Sequence, residues 1–296
     1  FVDAGSGIKN VMTLSDAELE IVKEKMDEYG LLVSSIGSPI GKVKLCDVED
    51  GTKTPYRPFA SYIKDEVPRA CELANFFNCK LIRGFSFYHP KGSNLEDHVN
   101  QATEQVGQIA EICDQHGLTY GLEVEANLVG QNAEVLAAMH RDINHEALVL
   151  IFDGGNLVTM GYSSQEVFEQ YKLMKPGLGW LHIKDFLKPT TTKGEHVDED
   201  ALKHFVPADI GDSGHREIFQ DLATFLPELE SRMSARGVPG VFLDLEPHVK
   251  GGGQFGGFSG PDGFGVALRA LCRVCDSAGI NYQLRNFADI QDSRGF

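Results

Sequence analysis

No apolar run in this chain approaches the ~20 residues that a membrane-spanning helix needs, which excludes an integral membrane protein built on helical spans. Positive charge is scarce: 27 Lys and Arg stand against 43 Asp and Glu, for a formal net charge of −16. A surface that acidic repels phosphodiester backbones and anionic bilayers, so neither nucleic acid nor membrane is an expected partner. A small phosphorylated ligand in a local positive pocket remains compatible with it. Cysteine is too sparse for a disulfide framework, with six (Cys46, Cys71, Cys79, Cys113, Cys272 and Cys275) in 296 residues. Most lie in apolar or helical stretches, where a reduced thiol acts as a small hydrophobe. The CxxC of Cys272 and Cys275 sits inside a helical pattern with no second pair. A reduced, cytoplasmic protein is expected. No low-complexity tract or linker breaks the chain, and with 42% hydrophobic residues it is not disordered. One domain over residues 1–296 is expected. The sequence opens on Phe1 and not on Met, with no charged-then-apolar segment ahead of it, so either something upstream was removed or the numbering starts late.

What is present is alternation. Runs rich in Val, Ile and Leu fall at 31–36, 80–87, 118–125, 147–153, 179–184 and 240–246, and near-continuous apolar runs of this length fit parallel strands buried on both faces. Amphipathic helical stretches lie at 16–28, 60–77, 94–115, 132–140, 164–173, 216–234 and 262–277. Ser15 and Glu18 have the spacing of a capping box, and Gly30 and Gly117 stand where helix C-caps are expected. The glycine-rich stretch 251–260 carries aromatics and reads as a loop over a site.

Polar residues recur where these strands end: Arg83 and His89; Glu123 and Glu125; Asp153 and Asn156; His182, Lys184 and Asp185; Asp244, Glu246 and His248. An open doubly wound sheet concentrates its chemistry at one switch point, whereas a (β/α)8 TIM barrel gathers it from the C-terminal ends of many strands. The α/β architecture predicted is therefore the barrel. Six runs are clear, and residues 1–4 are a candidate seventh. The first βα unit is expected to be incomplete or to lie upstream of Phe1, with residues 280–284 as an alternative, permuted strand.

Glu123, Asp153, His182 and Glu246 come from consecutive predicted strands. Adjacent barrel strands are ~4.8 Å apart, so such side chains can converge on one ion. Acidic groups at buried strand ends are costly unless paired or metal-bound. Three carboxylates and an imidazole make an oxygen-rich set suited to one divalent metal ion, Mn2+ foremost, with Mg2+, Co2+ or Zn2+ as alternatives. Each residue also has a purely structural reading. Asp153 could close an Asx-turn, His182 could be a hydrogen-bonded core histidine, and Glu123 and Glu125 could be salt-bridged. Arg83, His89, Lys184, Lys42, His215 and His248 are candidates to hold hydroxyls or a phosphate. Phe255 and Phe258 could cover a sugar face.

The motifs at 38–42, 82–88, 122–130, 152–158, 182–185, 207–214, 245–248 and 255–264 together resemble, in order, those of the xylose-isomerase-like TIM barrels known as sugar phosphate isomerases/epimerases. D-tagatose 3-epimerase and inosose dehydratase belong to that superfamily. The resemblance implies a divalent metal on Glu123, Asp153, His182 and Glu246, with Glu123 and Glu246 as the acid/base pair. Asn156 stands where ketose epimerases carry a substrate-binding histidine, a departure that argues against a ketohexose 3-epimerase specifically.

The implied function is isomerisation or epimerisation of a sugar, sugar phosphate or related polyol through α-proton abstraction to a metal-stabilised enediolate. A lyase sharing the first step (a keto-sugar or inosose dehydratase, or a deglycosidase subunit) is the alternative, and a non-catalytic sugar-binding subunit is a third reading. Phosphodiester hydrolysis, as in the endonuclease IV relatives, uses a histidine-rich trinuclear cluster that this acidic chain does not supply. Homo- or hetero-oligomers are compatible with all of these readings.

Overall fold

The computed structural model describes residues 2–5, 7–187, 192–193, 204–246 and 261–282. Two short antiparallel strands, β1 (Val2–Asp3) and β2 (Ile8–Lys9), open the chain. Helix α1 (Asp16–Glu28) starts on the expected capping box: Ser15 Oγ accepts from the Glu18 amide, and Glu18 Oε2 accepts from the Ser15 amide. Then come β3 (Ser35–Gly37), α2 (Phe59–Phe76), β4 (Leu81–Gly84), α3 (Glu96–Gln115), β5 (Thr119–Glu123), α4 (Ala133–Ile143) and β6 (Leu148–Asp153). Two helices follow β6, α5 (Gly154–Thr159) and α6 (Ser164–Met174), before β7 (Leu178–Ile183). A small antiparallel pair, β8 (Asp185–Phe186) and β9 (Phe205–Val206), leads to α7 (His215–Ala235), β10 (Leu243–Leu245) and α8 (Pro261–Ala278).

Six strands form one parallel sheet in the order β10-β7-β6-β5-β4-β3. Every strand of this sheet corresponds to one of the apolar runs. The candidate seventh does not join it: Val2–Asp3 pairs with Ile8–Lys9, because Gly5 and Gly7, both at positive φ (92° and 94°), reverse the chain between them. Nor do residues 280–282 form a strand, and the rest of the permuted candidate lies outside the described residues. Among the described residues the sheet is thus a partial barrel of six strands. Its two edge strands are shorter than the sequence predicts, since each pairs on one side only. Leu31 and Leu32, expected inside a strand, are instead exposed ahead of β3.

The sheet curls far enough for its edges to meet. Ser34 and Ser35, at the β3 edge, donate their hydroxyls to Asp244 of β10 at 3.1 and 3.2 Å. Alternation along the strands then decides what faces the enclosed space. Gly121, Ile151 and Trp180 meet below the strand ends as a buried floor. A Cβ on Gly121 would lie 2.2 Å from the Trp180 ring and 2.7 Å from Ile151, so only glycine leaves room for the single tryptophan. Gly121→Ala should therefore lower the free energy of unfolding by ~1–3 kcal/mol through overpacking. Adding Trp180→Phe should make the two changes less than additive in a urea-denaturation double-mutant cycle.

Candidate metal centre

Four strand ends deliver the central side chains. Glu123 and Asp153 are the last residues of β5 and β6, His182 is one short of the end of β7, and Glu246 directly follows β10, with its amide bonded to the Ile183 carbonyl at 3.0 Å. The parallel register aligns Asp153 with His182 and His182 with Asp244. One ligand atom from each of Glu123, Asp153, His182 and Glu246 lies within 4.8 Å of every other, so the four residues can hold a single metal ion. His182 Nδ1 faces Glu123 Oε1 at 3.2 Å, Glu246 Oε1 at 3.3 Å and Asp153 Oδ2 at 3.9 Å.

The donor atoms fit a cation because the protein leaves some of them without directed partners. His182 Nδ1 and Asp153 Oδ2 are buried and make no hydrogen bond of acceptable geometry, although Lys184 Nζ stands 2.8 Å from that Asp153 oxygen. Buried polar atoms normally find such partners, and a group left over in a converging cluster of hard oxygen donors matches a divalent ion. The other Asp153 oxygen has the structural role read from the sequence as well: Oδ1 accepts from the Asn156 amide at 3.0 Å and caps α5, a helix the sequence reading did not foresee. Asp153 caps the helix through one oxygen and turns the other toward the cluster.

Positive groups surround the carboxylates. Lys184 is buried between Asp153 and Glu246 (Nζ–Oε2 3.1 Å), and Arg83 Nε lies 3.5 Å from Glu123 Oε2. Lys42 pairs with Glu125 at 3.0 Å, which realises the salt-bridged reading for that glutamate. Lys42 and Arg83 both stand on the buried Phe85 ring, 4.3 and 4.5 Å from its centroid. Burial pushes the Glu123 and Glu246 carboxyls up, but neighbouring cations prevail: His182 and Arg83 hold Glu123 well below the ordinary range, and Lys184 and His182 bring Glu246 to about 2. Asp153 goes the other way, to about 7, because burial and the Glu123 and Glu246 charges outweigh Lys184. Burial lowers His182, yet Glu123 and Glu246 raise it to about 9.

The remaining candidates are placed less centrally. Asn156 commits its amide nitrogen to Glu123 Oε1 (3.2 Å) and the Val124 carbonyl (2.9 Å), which fixes the glutamate. His89 turns Nδ1 toward Ser93 Oγ and the Pro90 carbonyl, both at 3.2 Å, and stacks on His98. His215, the first residue of α7, is buried with Nδ1 2.8 Å from the Ala208 carbonyl and 3.5 Å from Asp185 Oδ2. Asp185 also accepts from the Gly211 and Ser213 amides, so this pair braces the turn ahead of α7. Phe255, Phe258 and His248 lie outside the described residues. Asp244, grouped with the strand-end residues but given no role there, lies under the cluster with Oδ2 3.9 Å from His182 Nε2. Its two-residue spacing from Glu246 is the sequence signal for a shared face.

The pKa directions set a pH dependence. Ligands must shed their protons to bind a metal. His182 and Asp153 both hold their protons more tightly than usual, His182 because Glu123 and Glu246 face it and Asp153 because it is buried beside the same glutamates. Uptake of Mn2+ near pH 7 should therefore release protons, measurable by calorimetry in buffers of different ionisation enthalpy, and affinity should weaken as pH falls. Both groups sit above their ordinary values of 3.8 and 6.5, so the metal-free protein should lose stability as pH rises from about 4 to about 7 on account of Asp153 and on up to about 9 on account of His182. Thermal melts of the metal-free protein across that range would check the sign.

Comparisons with known proteins bear on the fold. No curated protein matches the sequence. The structure is similar to the xylose isomerase domain protein of Planctomyces limnophilus (18% identity, 91% of this chain and 86% of that one, TM-score 0.61). It is similar also to a xylose isomerase-like TIM barrel protein of Mycobacterium smegmatis in complex with magnesium (18% identity, 90% and 80%, TM-score 0.58). A third similar structure is D-psicose 3-epimerase in the presence of D-fructose (17% identity, 91% and 86%, TM-score 0.57). At these identities the likeness concerns the fold. The xylose isomerase-like TIM barrel family itself matches residues 2–254, and the chain belongs to it.

Proposed function

We propose that this protein is a divalent-metal-dependent isomerase or epimerase of a sugar, sugar phosphate or related polyol. The observation that carries the reading is the pair Glu123 and Glu246, two carboxylates that converge on one imidazole nitrogen from different strands within a metal-sized cluster. Glu123, Asp153, His182 and Glu246 hold the ion, for which Mn2+ suits the three-carboxylate set. Once bound, it supplies Lewis-acid polarisation of a substrate carbonyl and its neighbouring hydroxyl.

The proton chemistry belongs to the chain. One glutamate takes the proton α to the carbonyl, so that the C–H electron pair forms the C=C bond of an enediolate and the carbonyl π pair moves onto oxygen. For epimerisation the other glutamate returns a proton to the opposite face of the same carbon; for isomerisation a proton goes to the former carbonyl carbon while the neighbouring hydroxyl gives up its proton to the former carbonyl oxygen and becomes the new carbonyl. Lys184 and Arg83 keep the two carboxylates ionised and thereby ready to accept a proton. Asn156 and Arg83 orient Glu123 from two sides. Arg83, Lys42 and Lys184 form a cationic margin suited to substrate hydroxyls or a phosphate, with His89 above the end of β4. Phe255 and Phe258 are assigned to cover the sugar. The support from outside the chain is the family match and a structural neighbour that is itself a sugar epimerase.

Elemental analysis followed by solvent-deuterium wash-in across ketoses, aldoses, their phosphates and inososes tests the reading. Incorporation of deuterium α to a carbonyl by the metal-loaded protein is expected, and Glu246→Gln should reduce it at least 10³-fold with unchanged circular dichroism. Exchange accompanied by loss of water from the substrate would assign the lyase branch. A metal-loaded protein that exchanges no substrate would leave a sugar-binding subunit, and full activity of Glu246→Gln would remove the acid/base assignment.

A further inference from the structure

Arg83 has a setting that charge compensation alone leaves unexplained. It stands third in β4, level with Gly37 of β3 on one side and Gly121 of β5 on the other, so a position without a side chain flanks it on each neighbouring strand. A Cβ on Gly37 would lie 3.1 Å from Arg83 Nη2. The guanidinium lies over the buried Phe85 ring with Cζ 4.5 Å from the centroid, and Lys42 Nζ stands 4.3 Å from the same centroid. The Arg83 side chain is only 19% exposed, and its Nε is buried without a hydrogen-bond partner, the nearby Glu123 oxygen standing at 3.5 Å. Among the described residues, none of its N–H groups donates a hydrogen bond. Buried donors normally find acceptors, so a fork of donors left idle this deep points to a ligand.

We infer that the substrate of this site carries an oxyanion, a carboxylate or a phosphate, received by the Arg83 guanidinium with Gly37 and Phe85 as positioning residues, an assignment that rests on the isomerase or epimerase reading above. Arginine presents its N–H groups as a rigid planar fork that matches two oxygens of one anion, whereas a lone sugar hydroxyl engages only part of it. Neither nearby carboxylate takes up that fork. Glu125 is bonded to Lys42 at 3.0 Å, and Glu123 makes no hydrogen bond to Arg83 and belongs to the ligand cluster. Once Glu123 shares its charge with a cation, the guanidinium retains no carboxylate of its own, which favours an anion from outside the chain. The Phe85 ring supports the guanidinium, and the bare Gly37 leaves Nη2 unobstructed beside β3. Lys42, on the same ring, adds a second positive charge to the seat.

Unreactive probes that differ in one charged group test the assignment without any turnover. D-glucitol, D-gluconate and D-glucitol 6-phosphate, and their five-carbon counterparts, are titrated by calorimetry into the Mn2+-loaded and the metal-free protein. An anionic member of a set should bind at least ~10-fold more tightly than its neutral partner, and whether the aldonate or the phosphate leads assigns the anion. Arg83→Lys keeps a positive charge beside Glu123 but loses the fork. It should remove most of that preference while Mn2+ uptake, read by electron paramagnetic resonance of the free ion, persists. Gly37→Ala should weaken anion binding by a smaller factor and leave the neutral polyol unchanged, and it decides the question if circular dichroism shows that Arg83→Lys fails to fold. An Arg83 that merely balances Glu123 would let Arg83→Lys keep the wild-type preference. That result would overturn the inference, as would equal affinity for neutral and anionic probes, or binding of none of them, with the proposed function left standing. A wild type that takes up no Mn2+ would overturn the metal-dependent reading instead, and the probe comparison in the metal-free protein would still judge Arg83.

Discussion

Burying three carboxylates at the end of a half-closed sheet is the constraint around which this structure is organised. Glu123 and Asp153 are almost wholly removed from water, and such charges are tolerated only beside opposite charge or a cation. The chain supplies that charge locally. Lys184 stands between Asp153 and Glu246, Arg83 stands beside Glu123, and the His182 ring lies in the centre, its pKa raised by the Glu123 and Glu246 carboxylates against the effect of burial. The compensation is incomplete by hydrogen-bond geometry: in the cluster, His182 Nδ1 and Asp153 Oδ2 face each other without a directed partner. A cluster that is electrostatically provided for yet short of directed partners is a site prepared for an ion.

The scaffold answers the same requirement in its packing. Convergence of four strand ends needs a floor that is solid but not bulky, and Gly121 beneath Trp180 meets both conditions. It needs the sheet to curl, and the hydroxyls of Ser34 and Ser35 on Asp244 tie the two edges where strand pairing does not. It also needs the connections above the strands to stay put. The Asp153 cap on α5 and the amides gathered by Asp185 anchor the segments that follow β6 and β7 to the strands bearing the cluster. Asp153 serves the fold through one oxygen and faces the cluster with the other.

Placing Lys184 and Arg83 close to carboxylates has a chemical consequence as well as a structural one. A glutamate that both holds a metal and moves a proton has to be ionised at rest, and burial alone opposes that. The flanking cations reverse the effect for Glu123 and Glu246, whereas Asp153, enclosed by the same glutamates, is pushed upward despite Lys184. Three similar side chains thus acquire different protonation behaviour from their surroundings, and the two kept ionised are the two assigned to proton transfer.

Much of this was legible in the linear sequence. Near-continuous apolar runs and period-3.6 patterning placed the strands and helices of the βα units, the capping box at Ser15 started α1 where expected, and acidic and imidazole groups at successive strand ends marked Glu123, Asp153, His182 and Glu246. These features are local: they follow from a residue's neighbours in the chain and from what a buried strand end tolerates. What tertiary structure alone decided is which residues meet across distance. Residues 2–3 read as a strand but pair with residues 8–9 outside the sheet, since strand membership depends on a partner and not on composition. The commitment of Asn156 to Glu123, of His215 to the turn before α7, and of Ser34 and Ser35 to Asp244 some 210 residues away could not be read from spacing. Hydrogen bonds and charge pairs of that kind depend on how far a sheet curls and which inner-face positions it brings level, and those are properties of the assembled sheet.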